Sequence, residues 1–338
     1  MIDWGLSGKV KHIVSRRRFP FKFVYSDDYW MVDLGQHVFP IKKYRLIYER
    51  LLQMGADRGH FIQPQPASEK SLALGHTQKY IRKLMSGKLS QAELRTLELP
   101  FSQEGLKFAL QTVGGTIQAS LNALEEKSIC VHIGGGFHHA YADHGEGFCV
   151  LNDVAVALIE MVMQHNIRKA MVVDCDVHQG NGTAAILSDK EYAFTFSLHQ
   201  MDIYPADKPS STLDVGLWSG DGDKEYLRKL QENIPKIYDE FQPNLIYYLA
   251  GADPYVKDQL GGLELTKDGL INRDQLVIEH ARSRGIPMVI VLAGGYAFDI
   301  EEVADIHINT IKTARKIERR LWFSQKIPHP LSARKNEP

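Results

Sequence analysis

The sequence predicts an α/β fold in which a mainly parallel central sheet carries helices on both faces, a three-layer α/β/α arrangement. Three observations predict it. Short apolar runs recur along the chain, amphipathic helical patterns lie between them, and four of the runs end in glycine-rich segments bearing Asp, His or Tyr. Strand–helix alternation over such a length is how parallel strands joined by crossover helices are written. Open sheets of this kind place their chemistry beyond the carboxyl ends of the strands. With 338 residues, 44% of them hydrophobic, the chain can bury a large core. No repeat or low-complexity linker divides it, so it reads as one catalytic domain over 1–338, with terminal extensions at 1–20 and 320–338.

Taken in order, the first expected strand is 22–25, Lys-Phe-Val-Tyr. Residues 86–105 are polar and weakly periodic and read as a loop or mixed connection. Leu106, Leu110, Val113, Ile117, Leu121 and Leu124 then recur at spacings of three and four, which predicts an amphipathic helix that Gly114-Gly115 should kink or break. Strands follow at 128–133, 170–174 and 193–198. The Gly/Ser-rich stretch 214–223 reads as turn, which accounts for Asp214, Asp221 and Asp223. Leu227, Leu230, Ile234, Ile237 and Phe241 mark a second helix that Pro235 should kink or break. Strands at 244–250 and 287–292 complete the set. From Arg319 onward, with Arg320, Pro328 and Pro330, the chain reads as a docked or frayed tail.

Composition excludes several classes of function. Forty basic against forty-one acidic residues give a formal charge of −1, which offers no bulk attraction to nucleic acid or anionic membrane. No segment reaches the roughly 18 uninterrupted apolar residues of a membrane span, and Met1 to Phe23, with its Arg16-Arg17-Arg18 cluster, has no apolar signal core. Cys130, Cys149 and Cys175 read as buried free thiols in a reducing compartment, which makes the cytoplasm the expected location, or the nucleus in a eukaryotic host. His132 and His199 read as core histidines, and His37, His60, His76 and His280 as surface or helix-cap histidines.

The chemistry concentrates in four segments: Ile133-Gly-Gly-Gly-Phe-His-His139, Asp174-Cys-Asp-Val-His-Gln-Gly-Asn181, Ala250-Gly-Ala-Asp253 and Leu292-Ala-Gly-Gly-Tyr296. Period-two alternation turns Asp174, Asp176 and His178 to the same side, so Asp176 and His178 can converge on one cation. With Asp253 they make three protein ligands and leave positions open for water and substrate, a catalytic rather than structural zinc pattern. A zinc-bound water is nucleophilic near neutral pH, and the ion polarises a carbonyl. His138 and His139 can both line one cavity from a glycine-rich turn, one serving as general base once a carboxylate or amide fixes its tautomer. Tyr296 offers a hydroxyl to a developing oxyanion. The reaction class that fits is metal-assisted hydrolysis. Ferrous iron suits the same O,N donors as zinc.

On Gly134-Gly-Gly-Phe-His-His139, Gly147-Phe-Cys149, 174–182, Ser197-Leu-His199, Ile203-Tyr-Pro205, Gly251-Ala-Asp253, Gly261-Gly-Leu263 and Gly294-Gly-Tyr296, the chain resembles the zinc-dependent histone deacetylase superfamily, with its arginase/deacetylase-like fold. The likeness runs from about 24 to 312. The closest subgroup looks like class IV, through Gly114-Gly-Thr116, His178-Gln-Gly-Asn-Gly182 and Asp258-Gln-Leu-Gly-Gly-Leu263. The resemblance implies zinc on Asp176, His178 and Asp253, His139 as general base and then acid, and His138 beside it as an electrostatic partner held by Asp174. It implies that Tyr296 binds the substrate carbonyl, that Phe148 and Tyr204 wall a narrow tunnel, and that the Gly147 carbonyl accepts the amide N–H. A structural potassium ion is implied at Asp174, Asp176, His178, Ser197 and Leu198, mostly through backbone oxygens. Asn181 stands where class I has aspartate and would orient His139 without a negative charge behind it. Residues 86–105 supply no counterpart for the acidic loop residue with which class I holds a substrate backbone.

The implied activity is removal of an acyl group from N-ε-acyl-lysine, with class IV pointing to fatty-acyl groups longer than acetyl. An acetylpolyamine amidohydrolase is the related alternative and would show acidic residues near the pocket mouth. A two-manganese, arginase-like site is disfavoured, because the chain has Asp-x-Asp-x-His and a single Asp253. A non-catalytic acyl-lysine reader would lack the tyrosine or a histidine, and His138, His139 and Tyr296 are all present. The expected partner is therefore an acyl-lysine protein or an acylated small amine. Oligomeric state is not legible in the sequence.

Overall fold

A computed structural model of the chain describes residues 19–326. Arg16-Arg17-Arg18, Pro328 and Pro330 lie outside the described residues. Among the described residues eight strands form one sheet: β1 (Lys22–Val24), β2 (Phe61–Ile62), β3 (Ile129–His132), β4 (Ala170–Asp174), β5 (Ala193–Gln200), β6 (Leu213–Leu217), β7 (Leu245–Leu249) and β8 (Met288–Val291). Every neighbouring pair is parallel, in the order β2-β1-β3-β8-β7-β4-β5-β6. The expected fold class holds, and all six expected strands are present within a residue or two of their bounds.

The central strands β3, β8, β7 and β4 are buried on both sides, so they read as continuous apolar runs rather than alternating ones. Val131, Val173, Ile246, Tyr248 and Ile290 enter one core, shared with helices α1 (Lys43–Gln53), α8 (Asp223–Phe241), α9 (Lys267–Ser283) and α10 (Ile300–Lys326). Cys130, Val172, Tyr247 and Val289 enter the other, shared with α5 (Gln103–Glu126), α6 (Asp153–Gln164) and α7 (Asn181–Leu187). Three short helices, α2 (Glu69–Leu72), α3 (Gln78–Met85) and α4 (Gln91–Leu97), lead up to α5.

Several expectations are corrected. Helix α5 runs unbroken through Gly114-Gly115. A β-carbon on Gly114 would meet the Gln65 carbonyl oxygen at 1.8 Å, and one on Gly115 would meet His132 Nε2 at 2.4 Å. These glycines allow close packing, not a break. Helix α8 likewise continues through Pro235. Residues 86–105 hold α4, whose Ser90 and Glu93 form a capping box. Asp214 belongs to β6, not to a turn. His76 is buried, and so is His60, which nonetheless caps a short 3-10 helix by accepting Asp57 N–H at 3.1 Å. Arg319 and Arg320 continue α10, and Arg320 pairs with Glu279 at 2.7 Å.

Candidate active site

The four glycine-associated segments follow β3, β8, β7 and β4, which are consecutive neighbours at the centre of the sheet. Their carboxyl ends therefore face one cavity, lined by His138, His139, Gly147, Phe148, Asp176 and Tyr296 among others. The segment after β3 is held from below by α6. The Asp153 carboxylate accepts the backbone N–H groups of Gly136 (3.1 Å) and Phe137 (2.8 Å) and the Thr116 hydroxyl (2.5 Å). The Asn152 amide donates to the carbonyls of His138 (3.3 Å) and Ala140 (3.1 Å). Sequence reasoning missed Asn152 and Asp153, although Asn-Asp ahead of an apolar helical run is a readable cap.

Asp176, His178 and Asp253 are all buried, and one ligand atom from each lies within 4.8 Å of the others. Backbone donors engage part of the carboxylates: Gly294 N–H donates to Asp176 Oδ2 (2.9 Å), His178 N–H to Asp176 Oδ1 (3.1 Å) and Val177 N–H to Asp253 Oδ1 (3.0 Å). Asp253 Oδ2 is buried with no hydrogen-bond partner. A buried carboxylate oxygen left without a partner is costly unless a cation or proton meets it. Burial, followed by the charges of Asp176 and Asp258, pushes the Asp253 carboxyl well above its usual range. This oxygen-nitrogen-oxygen set fits a divalent cation such as zinc or ferrous iron.

Beside it stand the two histidines. His138 Nδ1 donates to Asp174 Oδ2 at 2.7 Å, and its Nε2 lies 3.1 Å from His139 Nε2. Burial pulls the His138 imidazole down, but the Asp174 and Asp176 carboxylates outweigh it and raise the group to about 9. Burial, with the neighbouring His138 and His178, holds His139 well below the ordinary histidine range. One ring is thus kept charged and the other neutral. His139 Nδ1 donates to Asn181 Oδ1 at 2.7 Å, and the Asn181 amide N–H continues to Glu146 Oε1 at 2.7 Å.

Tyr296 lies across the cavity with its ring 6.0 Å from that of Phe148. Burial, with Asp176 and Asp253 nearby, pushes its hydroxyl well above the usual range, so it stays a proton donor. Its loop is clamped from 258–263: Tyr296 N–H donates to Asp258 Oδ2 (2.6 Å), and Gln259 Nε2 donates to the Tyr296 carbonyl (2.5 Å). Tyr204 packs its ring 5.0 Å from His139 and 6.1 Å from His178. Gly147, Phe148 and Tyr204 are thus brought together with the histidines. Ser197 and Leu198 are buried in β5, where Ser197 is in register with Asp174 of β4.

The rim contains residues that sequence reasoning did not place. Gly147 N–H donates to the Thr96 carbonyl (3.2 Å) and Phe148 N–H to the Leu97 carbonyl (2.9 Å), so α4 buttresses this wall. His37 packs edge-on against Phe148 at 4.7 Å and bonds the Glu98 carbonyl at 2.8 Å. Glu98 itself is exposed, at the end of α4. Lys43 is fully buried, with Nζ donating to the Ala293 carbonyl at 2.6 Å, and burial lowers its amine to about 8.

The family described as the histone deacetylase domain matches residues 37–311. An uncharacterised protein of Picosynechococcus sp. is 36% identical over 298 residues, covering 88% of this chain and 99% of its own length. Histone deacetylase 2 of Arabidopsis thaliana is 32% identical over 286 residues, 81% of this chain and 74% of the relative. Among solved structures, the crystal structure of an HDAC homolog complexed with SAHA superimposes with a TM-score of 0.74. It shares 22% identity over 87% of this chain and 84% of that one, a likeness in fold.

Proposed function

The chain belongs to the histone deacetylase family and is by that membership a deacetylase-type amidohydrolase, and from that premise we propose that it removes acyl groups from N-ε-acyl-lysine in a metal-dependent hydrolysis. The observation that carries the reading is the unpartnered, buried Asp253 Oδ2, set among the ligand atoms of His178 and of Asp176, which lines the cavity with His139 and Tyr296. Asp176, His178 and Asp253 would hold zinc, or ferrous iron on the same donors. A bound ion of this kind lowers the pKa of a water and polarises a carbonyl.

The chain's own residues then have distinct tasks. His139, with its Nδ1 proton committed to Asn181, presents Nε2 to the cavity, takes the proton of the attacking water and returns it to the departing ε-amine. His138, held charged by Asp174, stabilises negative charge that develops beside it. Tyr296 donates its hydroxyl to the acyl oxygen. Phe148 and Tyr204 grip the alkyl arm, and the Gly147 carbonyl accepts the amide N–H. A structural potassium ion on Asp174, Asp176, His178, Ser197 and Leu198 would stiffen the end of β4.

The class IV reading and its longer acyl groups gain support from an apolar recess lined by Leu34, Ile41, Phe101, Phe108, Ala109 and Leu151, among others. It shares Phe39, Phe137 and Phe148 with the catalytic cavity. A second reading, an acylated small amine as substrate, is favoured by the rim carboxylates of Glu98 and Glu146. Both stand close enough for their charges to act on Tyr204. No helix among the described residues is long and apolar enough to cross a membrane, and we place the protein in the cytoplasm, without direct nucleic-acid binding. The test is metal stoichiometry combined with turnover. Chelation should abolish hydrolysis of an acyl-lysine peptide, and about one equivalent of zinc should restore it. A requirement for two ions would overturn the assignment.

A further inference from the structure

Glu146 has counted so far only as a rim charge, yet its side chain ties together most of what surrounds the proposed base. Its Oε1 accepts from two donors, the Asn181 amide at 2.7 Å and the Tyr204 hydroxyl at 2.8 Å. Its Oε2 lies 3.3 Å from His144 Nε2. The His144 ring stacks on Tyr141 at 4.7 Å, and its Nδ1 meets Asp143 Oδ1 at 2.7 Å. The backbone of the same residue closes a two-residue turn, with Glu146 N–H donating to the Cys149 carbonyl at 3.0 Å and Cys149 N–H to the Glu146 carbonyl at 2.8 Å. Inside that turn Gly147 has φ +50° and Phe148 has φ +66°. A left-handed conformation is unfavourable for phenylalanine and persists only where its surroundings enforce it.

The chemistry of the contact is directional. A carboxylate only accepts hydrogen bonds, whereas an amide side chain can present either end. Glu146 therefore requires the N–H end of Asn181, which leaves Oδ1 for His139 Nδ1–H. That choice places the lone pair of His139 on Nε2, facing the cavity. The negative charge absent at position 181 stands one hydrogen bond further out.

We propose that Glu146 is a positioning residue of this site: it fixes the Asn181 amide so that His139 keeps its proton on Nδ1, and it couples that histidine to both tunnel walls through Tyr204 and the Gly147-Phe148 turn. The role rests on His139 acting as base in the proposed reaction.

The test is a double-mutant cycle on Glu146→Gln and Asn181→Asp, with ¹⁵N NMR of the histidine-labelled, zinc-loaded protein. Asn181→Asp alone sets two carboxylates at hydrogen-bond distance and should lower kcat/KM on an acyl-lysine peptide by about tenfold or more. Combined with Glu146→Gln it should cost less than about threefold, because the introduced glutamine donates where glutamate accepts. In the unsubstituted protein His139 should show protonated Nδ1 and bare Nε2, and Glu146→Ala should mix the two tautomers. Equal costs of Asn181→Asp in both backgrounds, with an unchanged His139 tautomer, would overturn the role. If Glu146→Ala fails to fold, the cycle on the isosteric variants still decides. If no acyl substrate is turned over, the deacylase reading fails by itself, and the tautomer in Glu146→Gln, Asn181→Asp and their combination decides the positioning role.

Discussion

Gly294 stands so close to Asp253 that a β-carbon on it would lie 1.9 Å from Asp253 Oδ2 and 2.6 Å from Asp176 Oδ2. The glycine after β8 is thus the floor of the ligand set contributed by β4 and β7. A side chain there would occupy the space in which the two carboxylates converge.

Gly294→Ala is therefore expected to displace one carboxylate while leaving the strands intact. Zinc affinity, measured by competition with a chelating dye, should fall by at least about tenfold to a hundredfold, with far-UV circular dichroism unchanged. Unaltered affinity would mean that Asp253 Oδ2 does not face the ion.

The proposed general base and the proposed oxyanion donor should both act on kcat. His139→Gln should lower kcat by about 10² to 10⁴, and Tyr296→Phe by about 10² to 10³. KM should move little in either case, because both groups act on charge that develops in the transition state. A change confined to KM would assign them to substrate binding instead.

The sequence exposed the centre of this molecule better than its edges. The strands that carry the site are continuous apolar runs buried on both faces, and their terminal glycines, histidines and aspartates are contiguous. Their convergence was therefore readable from Asp176, His178 and Asp253 themselves. The edge elements gave little signal. Phe61–Ile62 is too short for any periodicity. In Leu213–Leu217 only Leu217 is fully buried, so Asp214 and Gly216 looked like turn residues. The Ser90/Glu93 cap of α4 could have been read, and with it the wall behind Phe148. The contact of Glu146 with Asn181 spans 35 positions and belongs to no local motif. Only the packing of β3 beside β8, with β4 two strands beyond, shows it.

The proposed acyl recess offers a test by filling. Gly105 lines it, has ordinary helical backbone, and a β-carbon there would touch only Ser102 Oγ at 3.4 Å. Gly105→Phe should be accepted by the helix, which gains about 0.3–0.5 kcal/mol in local propensity. Hydrolysis of octanoyl- and myristoyl-lysine should fall by about tenfold, with acetyl-lysine little affected, since lost apolar burial is worth about 0.8 kcal/mol per methylene. Equal effects on all chain lengths would detach this recess from the acyl group.

Acid should destabilise the fold through its interior histidines, His76 and His132 among them. His76 accepts from Asn152 N–H at 3.0 Å and donates to the Tyr141 carbonyl at 3.0 Å, so a second ring proton would oppose Asn152 N–H. Burial lowers His76 to about 4 and His132 to about 3. Each group binds its proton more readily in the unfolded chain than in the fold, so its stabilisation is complete above about pH 6.5 and is lost as the pH falls through the folded value. Between pH 7.5 and 5.5 each should cost about 1.4 kcal/mol in urea unfolding. His76→Gln, which keeps one donor and one acceptor, should remove that residue's share of about 1.4 kcal/mol. A slope unchanged by the substitution would contradict the account.

The most direct test of the whole reading is hydrolysis of a lysine-peptide panel carrying acetyl, butyryl, octanoyl and myristoyl groups, with Asp253→Ala in parallel. The account predicts turnover that is lost in the variant, with a preference for the longer chains. No turnover of any peptide by the zinc-loaded protein would contradict it, and turnover that survives Asp253→Ala would contradict its metal centre.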